Sequence, residues 1–248
     1  MSTPRPVFPG GTSVSWLRVY DWPAPDGAGL AGSGTPHLHT ASAEGYVVVG
    51  GTGSVQTLSA EGYAEHRLDP GAIVWFTPGV VHRLVNDGNL SLVVVMSNAG
   101  LPEAGDAVLT FPADVLADPE RYRAAATLPA QSEDSTDDAT VAAAARARRD
   151  LALEGYAELR DRVEREGGAA LDDLHAAAAR LVSGRVPAWR EIVRDGVERT
   201  TSATLDALRS LAAGDGTHLA GASVAATTAR SGPERYGMCG RLRTFDLP

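Results

Sequence analysis

The chain has 248 residues, a formal net charge of −9 and a hydrophobic fraction of 44%, enough for one large domain or for a domain with an appendage. The acidic balance, without a single lysine, argues against nucleic acid as a partner, and no apolar stretch nears the roughly 18 residues that a membrane helix needs. Cys239 is the sole cysteine, so no intrachain disulfide forms; a reducing cytoplasm suits it. The Pro- and Gly-rich start lacks an apolar core segment, so no signal peptide is expected. Arginine used without lysine, together with Ala-rich stretches, suggests a bacterial chain of high GC content.

Short β-branched or aromatic runs separated by turn residues fill residues 1–112. They predict strands at 14–20, 46–49, 54–58, 63–68, 73–76, 82–85, 92–96 and 108–111, which reads as an all-β barrel or sandwich. Residues 113–138 turn polar and end in the acidic, serine-rich QSEDSTDD, the composition of a solvated linker. Residues 139–213 carry helical periodicity. Tyr156, Leu159 and Val163 form one stripe, and Leu171, Leu174, Ala178 and Leu181 another. Glycine pairs and Pro187 divide the run into about three helices. The Gly-, Ser- and Thr-rich tail, 214–248, either stays irregular or returns as a hairpin through 224–228 and 242–245.

The informative stretches are GSGTPHLHTASAEGYVVVGGTG (32–53) and GAIVWFTPGVVHRLVN (71–86). Residues two apart on a strand share a face, so His37 and His39 can reach one point. Glu44 follows four residues later, and His82 comes after the Pro78-Gly79 turn. Three neutral imidazoles and one carboxylate suit a divalent transition metal (Fe, Mn, Ni, Zn or Co).

These two stretches resemble the paired motifs of the cupin superfamily. The first matches from His37 through His39 and Glu44 to Gly51, six residues further on. The second matches from Gly71 through Gly79 and His82 to Asn86. Thr77 stands where the family has its proline, with Pro78 one place later, and the leading glycine of the first motif is displaced; neither departure touches a ligand. The resemblance covers residues 13–111. It implies a double-stranded β-helix barrel, here followed by an α-helical region, with one metal held by His37, His39, Glu44 and His82 near an open end.

Tyr46, two residues after Glu44, shares its face and either offers its phenol to a substrate or fills the barrel. Gln56 and Trp75 lie in neighbouring strands and are candidate ligand-binding residues. Arg83, next to His82, is expected on the opposite face and exposed. His66, His175 and His218 are expected to be solvated or structural, and Cys239 has no assigned role. The resemblance implies a metal-dependent enzyme of dioxygenase or sugar isomerase/epimerase type acting on a small polar molecule. The alternative is a non-catalytic module that binds a small ligand. The amphipathic helices are expected to cap the barrel or to build a homodimer.

Overall fold

In the computed structural model, which describes residues 6–130 and 138–247, two bent strands organise the barrel. β1 (Ser13–Val19), β2 (Gly32–Ser33) and β3 (His37–His39) precede β4 (Glu44–Ser59). β5 (Gly62–Leu68), β6 (Ile73–Phe76), β7 (Val81–Met96) and β8 (Ala107–Leu109) follow. β4 and β7 run antiparallel from Glu44↔Met96 to Leu58↔Val81. Near one end they are flanked by β6 and β1, and near the other by β5, β2 and β3.

The sequence predicts a break in each of these strands, at 50–53 and at 86–91. The ladder instead bends there, with register shifts between Val48 and Gly53. Gly51 has φ +73°, and a Cβ on it would lie 2.2 Å from the Asn89 carbonyl oxygen. Glycine lets the two backbones cross closely, so the strand turns a corner without ending.

Alternation then sorts the side chains into two faces. Leu17, Val48, Val55, Leu84, Leu92 and Val94 fill the barrel interior. On the outer face of the half that carries β5, Leu38, Leu58, Val81 and Leu109 pack against the helices. The outer face of the other half leaves Trp16, Val49, Ile73 and Trp75 exposed.

The stretch read as a linker, 113–138, is structured at its start. α1 (Ala113–Leu116) and α2 (Pro119–Ala126) form there, because Asp118 caps α2 by accepting from the backbone N–H groups of Glu120 and Arg121, with Pro119 at the first helical position. Val115 and Tyr122 are buried, and the Leu109 N–H donates to the Tyr122 hydroxyl. Composition under-reads such segments because one buried aromatic and one cap suffice to order a short helix. The acidic segment 131–137 lies outside the described residues.

α3 (Asp138–Glu166), α4 (Asp172–Val182), α5 (Val186–Val193) and α6 (Arg199–Ala212) follow. Tyr156, Leu159, Val163, Leu174 and Trp189 share one core with the barrel wall. A Cβ on Gly155 would lie 2.3 Å from the Thr110 carbonyl oxygen, so glycine allows α3 to sit directly on the chain that follows β8. Among the described residues, no helix is long and apolar enough to cross a membrane.

The tail returns as a hairpin, with residues 242–244 in a strand as expected but paired with other residues than 224–228. β9 (Arg235–Tyr236) pairs with β10 (Gly240–Thr244), and β10 joins β1 from Ser15↔Thr244 to Val19↔Gly240. Residues 224–228 form no strand. The Gly-rich composition hid which residues pair, since the pairing is set by the free edge of β1.

Candidate metal centre

β3 carries the H-x-H pair inward, and its register places His37 beside His82 of β7. Glu44 opens β4 opposite Met96 and Phe76. All four side chains are buried, and one ligand atom from each lies within 4.8 Å of the others.

Each imidazole is fixed at its Nδ1. His37 Nδ1 lies 2.9 Å from the Thr35 carbonyl oxygen, and His82 Nδ1 lies 3.1 Å from that of Val80. A carbonyl only accepts, so Nδ1–H is the donor and Nε2 keeps its lone pair. His39 Nδ1 donates to Asp106 Oδ1 at 2.7 Å. Asp106 is itself held by the Ser42 N–H on Oδ2, at 2.9 Å. Three Nε2 atoms therefore face one point. Nε2 of His82 lies 3.2 Å from Nε2 of His37 and 3.0 Å from Glu44 Oε2, and Nε2 of His39 lies 3.4 Å from that oxygen. Glu44 Oε2 is buried without a hydrogen-bond partner.

That convergence fits a metal. Lone pairs gathered within 3.0–3.4 Å of one another repel unless a cation sits among them. At bond lengths of about 2.1 Å, neighbouring ligands of an octahedral ion lie about 3.0 Å apart. Without a metal the ionisation of the cluster is uneven. Burial, with the neighbouring His82 and His39, holds His37 well below the usual histidine range. Burial opposes the charge on Glu44, but His82 and His39 outweigh it and keep the carboxyl well below its ordinary value. His39 is also disfavoured by burial, yet Asp106 and Glu44 raise it to about 10.

A cavity of about 920 Å³ opens onto His37, His39 and Glu44. Leu17, Val94 and Met96 wall it from the barrel, Met238 and Leu242 from the tail, and Ile192 from α5. Its surface is predominantly apolar.

The family described as "Cupin domain" matches residues 29–97. The barrel is a cupin domain. A helical C-terminal region follows it. No curated protein matches. Vicilin from Solanum lycopersicum is 22% identical over 36% of this chain and 23% of its own, with a TM-score of 0.29. The WlaRB TDP-quinovose 3,4-ketoisomerase from Campylobacter jejuni is 14% identical over 34% and 60%, with a TM-score of 0.29. A Cupin 2 conserved barrel domain protein from Salinispora arenicola is 17% identical over 40% and 74%, with a TM-score of 0.28. The chain thus spans less than two thirds of the first two, and these likenesses carry no functional information.

The structure brings His37, His39, Glu44 and His82 together as the cupin resemblance implies. Gln56 and Trp75 point away from the cavity. Gln56 pairs across the ladder with Arg83, and both point outward under α3, where the Tyr156 hydroxyl meets Gln56 Oε1 at 3.4 Å. Trp75 is 75% exposed, because alternation turns its neighbour Phe76 toward His82 and Trp75 to the outside. Arg83 is on the opposite face from His82, as expected, but it is only 1% exposed: it clamps Asp26 with two hydrogen bonds and donates to Ser33. Tyr46 is fully buried and does not line the cavity. Its hydroxyl has no hydrogen-bond partner, and burial pushes its pKa well above the phenol range. It packs against Phe76 and His82 within the barrel.

Three cavity or site residues carried no recognised signal in the sequence. Asp106 stands in a loop with no diagnostic spacing. Met238 and Cys239 arrive with the tail, and burial pushes the Cys239 thiol up. The second-motif asparagine is structural: Asn86 donates to the carbonyls of Val19 and Tyr20 and accepts from the Leu90 N–H.

Proposed function

We propose that the chain is a mononuclear metal enzyme of the oxygenase type, its ion held by His37, His39, Glu44 and His82. The observation that supports this reading is three imidazoles fixed at Nδ1 and turned, with an unpartnered carboxylate oxygen, onto one point at an apolar cavity. These four residues would hold a divalent transition metal, which would supply redox and Lewis-acid chemistry at the mouth of the cavity. The protein's part is to hold the donors in place, orient an apolar body against them and keep water away.

An isomerase or epimerase needs a side chain that moves protons at the substrate. Tyr46, the candidate proton carrier, does not line the cavity, and burial makes the Cys239 thiol hold its proton; the apolar wall beside the cluster favours oxygen chemistry over proton shuttling. Its lining also favours an apolar body over the small polar molecule that the sequence suggested.

The test is O₂ uptake by protein loaded with Fe, Mn or Ni, against a panel of apolar small molecules, beside His82→Ala. Uptake that depends on one compound and vanishes in the variant supports the reading. An isomerised product formed without O₂ uptake, or a ligand bound tightly and recovered unchanged, overturns it.

A further inference from the structure

Among the described residues, three arginines are buried: Arg83, Arg148 and Arg149. Two of them have a carboxylate. Arg83 clamps Asp26 through two nitrogens. Arg149 pairs with Asp150 and also donates to the carbonyls of Trp22, Ser33 and Pro23. Arg148 differs. It is 7% exposed and lies within ion-pair distance of no carboxylate among the described residues. Its hydrogen bonds run to two backbone carbonyls, those of Ala126 and Gly237, and its Nε is buried without a partner.

A buried cation with no counter-charge is costly, and proteins rarely keep one without a use for it. Burial accordingly pulls the guanidinium below its usual range. Arg148 lines the same cavity that opens onto His37, His39 and Glu44. Its position is set by α3, where Val141, Ala145, Arg148, Arg149, Ala152 and Tyr156 form the buried stripe. Helix geometry thus places one buried positive charge, with no carboxylate partner among the described residues, on a space whose apolar wall is built by Leu17, Val94, Met96, Met238 and Leu242.

We infer that this cavity takes an apolar-bodied monocarboxylate and that Arg148 binds its carboxylate while the hydrocarbon body lies along the apolar walls. The inference rests on the reading that the cavity is the substrate site. A planar guanidinium matches a carboxylate fork in geometry as well as in charge.

The probes are octanoate and octan-1-ol, which share a chain and differ in charge. Calorimetric titration uses the full chain, both chelator-treated and metal-loaded. Octanoate should bind at least tenfold more tightly than octan-1-ol. Arg148→Gln should abolish that preference while octan-1-ol still binds, which shows the cavity intact. If Arg148→Gln does not fold, the decision passes to Arg148→Lys. That variant keeps the charge but loses the fork, so octanoate should weaken several-fold and octan-1-ol should not change. Equal binding of the two probes by the wild type, a preference that survives Arg148→Gln, or equal loss of both probes in Arg148→Lys would overturn the inference. The metal reading fails separately: a chain that binds no metal yet shows Arg148-dependent octanoate binding would sink the oxygenase proposal and leave this one standing.

Discussion

Replacing Asp106 with asparagine should weaken metal binding without touching a ligand atom. Both partners of the native carboxylate are donors, His39 Nδ1–H at 2.7 Å and the Ser42 N–H at 2.9 Å. Asparagine offers one acceptor oxygen where two are needed. If that oxygen keeps Ser42, the amide N–H₂ faces His39 Nδ1 and drives the proton to Nε2, the nitrogen that should ligate. If it keeps His39, a buried N–H is orphaned and the loop shifts. Loss of such a supporting carboxylate typically costs ten- to a hundredfold in metal affinity, which is about 1.4 to 2.7 kcal/mol. Competition against a chelator of known affinity measures it, with near-UV circular dichroism confirming an intact barrel. A metal affinity in Asp106→Asn equal to that of the wild type would refute the claim that Asp106 orients His39.

In metal-free protein His39 keeps its proton up to about pH 10, and ligation requires the neutral ring. Metal affinity should therefore rise about tenfold per pH unit between pH 7 and 9, with about one proton released per ion from His39; calorimetry in buffers of different ionisation enthalpy reads this, and a pH-independent affinity would contradict it. Truncation after Phe111 should leave an aggregating or unfolded chain, because it strips α3 to α5 from Leu38, Leu58, Val81 and Leu109; a soluble, equally stable monomer would show that the helices are dispensable. Trp75→Ala should leave metal affinity and octanoate binding unchanged, since that ring faces away from the cavity, and a tenfold change in either would return Trp75 to the site.

The barrel and its metal ligands were legible because their signals are local. Strand alternation puts His37 and His39 on one face, and fixed spacings add Glu44, Gly51, His82 and Asn86. The bends within β4 and β7 were read as breaks, since a glycine that permits a close crossing looks in sequence like one that ends a strand. Gln56 and Trp75 point outward because inward and outward faces follow from a register that one sequence does not reveal, while Arg83 takes its expected face but is covered by residues distant in sequence. Asp106 and Arg148 depend on tertiary contacts across 67 and 89 residues, to His39 and Gly237 respectively. For Arg148 a trace was present: two adjacent arginines fall on the apolar stripe of an alanine-rich helix, where a solvated helix would carry small apolar residues.

Elemental analysis of purified wild-type protein beside a His37→Ala/His82→Ala variant tests the metal centre most directly. The geometry predicts about one divalent transition metal per chain in the wild type and none in the variant. A wild-type protein that stays metal-free after reconstitution at neutral pH, or a variant that retains its metal, would contradict it.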